Sequence, residues 1–86
     1  MNNPAPAEIE TALLGMCRQA LPGSDIAPAD DFFAAGGNSV TSMLLIKNIQ
    51  DAYGVRVPPG RFYAHPTMAA LATVVAEQLA AGRERA

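Results

Sequence analysis

The residues able to do chemistry crowd into one segment, Asp30-Asp31-Phe32-Phe33-Ala34-Ala35-Gly36-Gly37-Asn38-Ser39-Val40. Near its end a serine follows a flexible Gly-Gly turn and opens a stretch of helical patterning. A hydroxyl there sits at an accessible corner, beside free backbone N–H groups and the partial positive charge of a helix N-terminus. Both favour a phosphodiester on Ser39. The glycines keep side chains away from whatever approaches and open backbone conformations closed to other residues. A plainer role competes: serine is among the preferred N-caps, and an isolated Gly-Asn-Ser reads as a cap alone. Gly37-Asn38-Ser39-Val40-Thr41 has the outline of a nucleophile elbow but ends in Thr where glycine is expected. The one histidine, His65, stands before Pro66 in a turn. A catalytic triad also needs an oxyanion hole and a cleft that so short a chain can hardly build. A phosphate-binding loop fails because no Gly-Lys-Ser/Thr follows the glycines. Cys17 lies in helical patterning beside Met16 and reads as a small buried apolar residue. No catalytic residue and no metal ligand is expected.

Length and charge bound what that serine belongs to. The chain has 86 residues, 50% of them hydrophobic and 16% charged. That is one domain at most, and too apolar for a disordered tail. A barrel enzyme, a dinucleotide-binding domain or a full α/β-hydrolase does not fit in it. The net charge is −2, and the six Lys and Arg are scattered from Arg18 to Arg85, which argues against a nucleic-acid binder. A single cysteine forms no internal disulfide, so a reducing cytoplasm is expected. Met1-Asn2-Asn3-Pro4 lacks the basic-then-apolar pattern of a signal peptide, and no apolar run approaches the ~20 residues of a membrane span. The expectation is a soluble cytoplasmic monomer with no nucleic-acid and no membrane partner.

The elements that must hold the serine are helices. Pro4 and Pro6 punctuate a tail over residues 1–6. From Ala7, the residues Ile9, Leu13, Met16 and Ala20 recur at helical spacing with Ala12 and Cys17 beside them, and Glu8 and Glu10 suit the positive end of the dipole. Pro22 and Gly23 end this helix near Leu21. The connection from Pro22 to Asn38 is long for a small domain, and such loops are often functional. At least one ring of Phe32-Phe33 is expected to dock on the helices and keep it ordered. Ser39 opens a second helix, with Val40, Met43, Leu45, Ile46 and Ile49 on its apolar side and Thr41, Lys47, Asn48 and Gln50 on its polar side. Gly54 caps it after Tyr53. Leu44 falls beside the Met43/Ile46 stripe and is expected in solvent. Val55-Arg56-Val57 alternates like a strand, but Pro58-Pro59 makes it an extended link. Arg61-Phe62-Tyr63-Ala64 makes one helical turn before His65-Pro66. Thr67 caps a last helix whose apolar face is Met68, Leu71, Val74, Val75 and Leu79. Gly82 and Arg83-Glu84-Arg85 end the chain in a frayed tail over 82–86. The fold class is all-α: a small four-helix bundle, three main helices plus one short helical turn, with a long first loop and a folded unit over 7–81.

This order of residues resembles the acyl and peptidyl carrier proteins, a phosphopantetheine-binding family. The resemblance runs from about Ala7 to Leu79. Phe32-Phe33, Gly36-Gly37, Ser39, Gly54, Pro58, Phe62 and Pro66-Thr67 fall where that family places them. Each piece alone is weak; the joint match is specific. Asp-Phe-Phe with Gly-Gly-x-Ser looks like the peptidyl carriers of nonribosomal peptide synthesis. Fatty-acid carriers more often show Asp before the serine and a more acidic second helix, whereas here Asn38 takes that place and the helix carries only Asp51 against Lys47. The chain also departs from the peptidyl pattern. Peptidyl carriers most often have His or Asp at the Asn38 position, Leu at Ala35, and Leu or Ile at Val40, so the last two lose apolar bulk.

The resemblance implies that Ser39, flanked by Gly36, Gly37 and Asn38, receives 4′-phosphopantetheine from coenzyme A through a separate phosphopantetheinyl transferase. The arm's thiol then carries an aminoacyl or acyl group as a thioester. Partners would be an adenylation or acyl-loading enzyme and downstream condensation, tailoring or thioesterase enzymes of nonribosomal peptide or hybrid natural-product biosynthesis. They would dock on the first turns of the second helix, where Val40, Met43 and Leu44 form an apolar patch; core packing is the competing role for Val40 and Met43. Asp30 and Asp31 either meet a basic partner or hold the loop, with the local role favoured for at least one. The alternatives are an acyl carrier of polyketide or fatty-acid synthesis, an unmodified helical interaction module and a small serine hydrolase. The carried group is set by the loading partner. Met1 and the short flanks point to a free-standing carrier.

Overall fold

Proline and glycine set most of the helix limits. The computed structural model describes residues 3–85, with side chains through residue 82. It orders four helices: α1 over Pro6–Ala20, α2 over Ser39–Tyr53, α3 over Pro59–Ala64 and α4 over Met68–Arg85. Among the described residues there is no strand, and Val55-Arg56-Val57 is the extended link expected before Pro58-Pro59. α1 and α3 open on prolines, whose missing N–H is one the first turn leaves unbonded anyway. α2 closes on Gly54, whose φ of 65° is left-handed and whose N–H donates to the Gln50 carbonyl. Thr67 Oγ1 accepts from the Ala70 N–H at 3.1 Å and caps α4.

Three helix limits differ from those expected. α1 starts at Pro6 and not Ala7, α3 includes Pro59 and Gly60, and α4 passes Gly82 to reach Arg85. The first two follow from proline's fitness for the first helical position. In the third, a glycine within an alanine-rich helix costs only about 1 kcal/mol, too little to stop it. The expected tails, 1–6 and 82–86, include Met1, Asn2 and Ala86, which lie outside the described residues.

The core forms where the apolar stripes meet. Four-residue spacing lines up Ile9, Leu13 and Cys17 on α1, all fully buried. They pack with Leu45, Ile46 and Ile49 of α2 and with Met68, Leu71, Ala72 and Val75 of α4. Burial pushes the Cys17 thiol above its ordinary pKa, against a smaller opposing pull from Arg18. Phe32 from the first loop and Phe62 from α3 are the largest fully buried side chains and meet edge to face, 5.6 Å between centroids.

The long loop is thus part of the core. Ile26 and Phe32 are buried in it. The Phe32 N–H donates to the Pro66 carbonyl at 2.8 Å, and the Ala69 N–H to the Pro28 carbonyl at 3.0 Å, strapping the loop across the entry to α4. Asp30 Oδ2 accepts from the Ala27 N–H at 2.8 Å. Asp31 Oδ1 accepts from the N–H groups of Phe33 and Ala34, at 2.8 and 3.1 Å. Both aspartates therefore take the local role.

Candidate functional site

Two glycines of different function bring the chain to Ser39. Gly36 has φ 113°, a conformation that strains any side chain, and the space around it is open. Gly37 has no such φ; a Cβ there would overlap the edge of the Phe32 ring and stand 2.8 Å from its carbonyl oxygen. The turn is closed by the Gly37 N–H on the Phe32 carbonyl at 3.0 Å and the Gly36 N–H on the Phe33 carbonyl at 3.2 Å. The space beside Gly36 is open, while at Gly37 it is filled by Phe32.

Asn38, not Ser39, caps α2. Its backbone is extended, and its Oδ1 accepts from the Thr41 N–H at 3.0 Å while Thr41 Oγ1 accepts from the Asn38 N–H at 2.8 Å. This capping box corrects the reading in which Ser39 is the cap: asparagine is as good a cap as serine, and it stands one residue earlier with a threonine to close the box. Ser39 takes the first helical position and is exposed. Among the described residues no hydrogen bond engages its hydroxyl. The amides of Thr41 and Ser42 are taken by Asn38, through its side chain and its carbonyl (2.9 Å for Ser42). Those of Ser39 and Val40 have no protein partner among the described residues, and α2 carries no acid in its first turn.

A residue that the sequence reading passed over lies directly beneath. Ser42 is fully buried and donates its one proton to the Ser39 carbonyl at 2.8 Å. The Tyr63 hydroxyl, 3.4 Å away, is then the donor to Ser42 Oγ. The Tyr63 ring stacks on Phe33, 5.8 Å between centroids at 21°, so α3 and the loop brace the backbone of Ser39 together. The signal for Ser42 was its spacing: 42, 45, 46 and 49 form one stripe of α2 that faces the core.

The opposite stripe is open. Val40 and Met43 are each 67% exposed and Leu44 52%. Val40 and Met43 are therefore not core residues, as their place on the expected apolar side implied; the inward stripe is set by Ser42, Leu45, Ile46 and Ile49. With Lys47, the three exposed side chains line a hollow of about 450 Å³. Met43 also walls a groove of about 490 Å³ between α2 and α3, with Lys47, Arg56 and Tyr63 among its lining. The sequence-expected residues Gly36, Gly37, Asn38, Ser39, Val40, Met43 and Leu44 thus form one continuous corner of the molecule.

The corner offers a hydroxyl without a base. No histidine or carboxylate hydrogen-bonds to Ser39 among the described residues, and His65 ends α3 as an exposed turn residue. Of the three serines, only Ser39 is open: Ser42 is buried, and the Ser24 hydroxyl is buried without a partner. Among the described residues no side-chain cluster has a metal-binding arrangement, and no helix is long and apolar enough to cross a membrane.

Known proteins share this fold and part of this sequence. The family model described as phosphopantetheine attachment site matches residues 11–75. Phosphinothricin tripeptide synthetase PhsC of Streptomyces viridochromogenes is 32% identical over 72 residues, covering 84% of this chain and 7% of that protein. Tyrocidine synthase 3 of Brevibacillus parabrevis is 37% identical over 65 residues, 76% of this chain and 1% of that one. The chain therefore spans a small part of the length of these relatives. A solution structure of an active-site mutant peptidyl carrier protein superposes with a TM-score of 0.79 at 31% identity, covering 91% of this chain and 86% of that one. A chain from the complex of the phosphopantetheine transferase Sfp with coenzyme A and a peptidyl carrier protein gives 0.77 at 30% identity, covering 88% and 95%.

Proposed function

This chain belongs to the phosphopantetheine-attachment family, and from that premise we propose that Ser39 is the attachment point of a peptidyl-type carrier serving nonribosomal peptide or hybrid biosynthesis. The chain is a carrier and not itself a catalyst, and its cofactor is 4′-phosphopantetheine. One observation carries the assignment to Ser39: it is the single serine with an exposed hydroxyl that no internal hydrogen bond engages.

The residues present fit the group. Ser39 supplies the oxygen for a phosphodiester. The unpaired amides of Ser39 and Val40, with no acid in the first turn, suit its negative charge. Open space at Gly36 leaves room for it. When bound, the group supplies a terminal thiol that holds an aminoacyl or acyl cargo as a thioester. The chain's own residues present and hold. The Gly36-Gly37 turn and the Asn38–Thr41 box fix where α2 begins, and Ser42 with Tyr63 braces the Ser39 carbonyl. With no base at the hydroxyl, activation comes from a separate phosphopantetheinyl transferase. Val40, Met43 and Leu44 form the apolar docking patch for that enzyme, for an adenylation or acyl-loading enzyme, and for condensation, tailoring or thioesterase partners. The carrier unit is 7–81, acting as a cytoplasmic monomer.

Incubation of the unmodified protein with coenzyme A and a broad-specificity phosphopantetheinyl transferase tests this by intact mass. One phosphopantetheinyl increment on the wild type and none on Ser39→Ala is the expected result. No increment under conditions that modify a control carrier overturns it.

A further inference from the structure

The four large apolar side chains exposed among the described residues, Val40, Met43, Leu44 and Tyr63, share one face. Val40, Met43 and Leu44 line the hollow beside Ser39, Tyr63 and Met43 line the groove between α2 and α3, and Met43 with Lys47 forms the wall common to both.

The charge on this face runs opposite to that of the chain. Lys47 pairs with Asp51 at 2.9 Å, but both side chains stay about two-thirds exposed, 68% and 66%, and such a pair leaves both charges solvated. Arg56 lines the groove, is exposed and makes no ion pair among the described residues. Two cations thus stand against one anion on a chain whose net charge is −2. The other acids with described side chains lie elsewhere: Glu8 and Glu10 on α1, Asp25, Asp30 and Asp31 in the first loop, and Glu77 on α4, held by Arg61 at 2.8 Å.

We propose that this face, from Val40 past Met43 and Tyr63 to Arg56, selects partner enzymes whose docking surface is apolar at its centre and carries carboxylates at its rim. The inference rests on the carrier reading and adds to it the sign of charge that the partner must bring. Apolar contact at Val40, Met43 and Leu44 supplies affinity, while the rim charge steers the encounter and rejects a partner of the wrong sign. A basic rim would meet Arg56 on a face where cations outnumber the one acid, Asp51.

Two synthetic amphipathic helical peptides with the same Leu/Phe face, one flanked by Glu and the other by Lys, separate the outcomes. Each is titrated into the isotope-labelled unmodified protein and followed by amide chemical shifts. The acidic peptide is expected to bind about fivefold tighter at low salt, the size of a rim charge effect. Its shifts should centre on Val40, Met43, Leu44 and Tyr63, and the preference should fade at high salt. Arg56→Glu should abolish or reverse the preference, while Arg18→Glu, an equal charge change on α1, should keep it. Equal affinities, tighter binding of the basic peptide, shifts centred elsewhere, or no binding at millimolar concentration would overturn the proposal. So would concentration-dependent shifts of the protein alone on this face, which would make a second copy the occupant. The titration does not involve the Ser39 hydroxyl, so it and the mass experiment can fail independently.

Discussion

At the scale of single residues, the site divides among three residues the tasks that the sequence motif assigns to one serine. Asn38 caps, Ser39 presents, and Ser42 supports from below. This division has a measurable consequence. Ser39→Ala removes no cap and should change stability by less than about 0.5 kcal/mol, whereas Asn38→Ala should cost about 1 kcal/mol; chemical denaturation of both variants checks this. The glycines differ in the same way. Gly37→Ala drives a methyl into Phe32 and should cost about 1–3 kcal/mol as an overpacked core substitution. Gly36→Ala meets no neighbour and should cost about 1–2 kcal/mol through backbone strain alone. A Phe32→Leu background should relieve the ring-overlap part of the first cost, keep the part due to the Phe32 carbonyl, and leave the second unchanged. The serine was legible through its context, because Phe32-Phe33, Gly36-Gly37, Gly54, Pro58, Phe62 and Pro66-Thr67 match one order jointly, whereas Gly-Asn-Ser alone reads as a cap. The cap was not, because Asn and Ser are equally good caps and only the backbone decides between neighbours.

At the scale of elements, the sequence period identified the three long helices and the short turn, and Pro58-Pro59 kept Val55-Arg56-Val57 out of a sheet. It did not separate the two faces of α2. With Val40, Met43, Leu44, Leu45, Ile46 and Ile49 in one helix, the apolar arc is wider than the core can cover, and the packing of Ser42 beside Leu45 and Ile49 settles which stripe turns inward. Nor did spacing show that Asp30 and Asp31 would spend their carboxylates on neighbouring amides. α3 is fastened to the body by Phe62 in the core, by Tyr63 at Ser42 and by Arg61 on Glu77 of α4. The hydrogen bond and charge of Arg61 hold the Glu77 carboxyl below its ordinary pKa. A lowered carboxyl stabilises the fold above its unfolded-state pKa and loses that contribution as pH falls through the folded-state value. Both side chains are exposed, so the effect is small. The melting-temperature gap between wild type and Glu77→Gln should be present at neutral pH and close on acidification; a gap that widens in acid would contradict the assignment.

At the scale of the whole molecule, the chain is a small helical body that buries its one native thiol and exposes one serine hydroxyl. Thiol counting follows from that. Native unmodified protein should show no rapidly reacting thiol, because Cys17 is buried and its pKa is raised, and one after unfolding. Modified protein should show one when native and two when unfolded. A rapidly reacting thiol in the native unmodified protein would mean that the α1 face is open. The central claim, that Ser39 is the attachment point, is tested most directly by locating the group within the chain. Cleavage after Arg18 and Lys47 yields a peptide, residues 19–47, that holds all three serines, so fragment ions must tell them apart. After treatment with coenzyme A and transferase, fragmentation should place the phosphopantetheinyl mass on Ser39 alone. Finding it on Ser24 or Ser42, or finding none when a control carrier is modified in the same tube, would contradict the account.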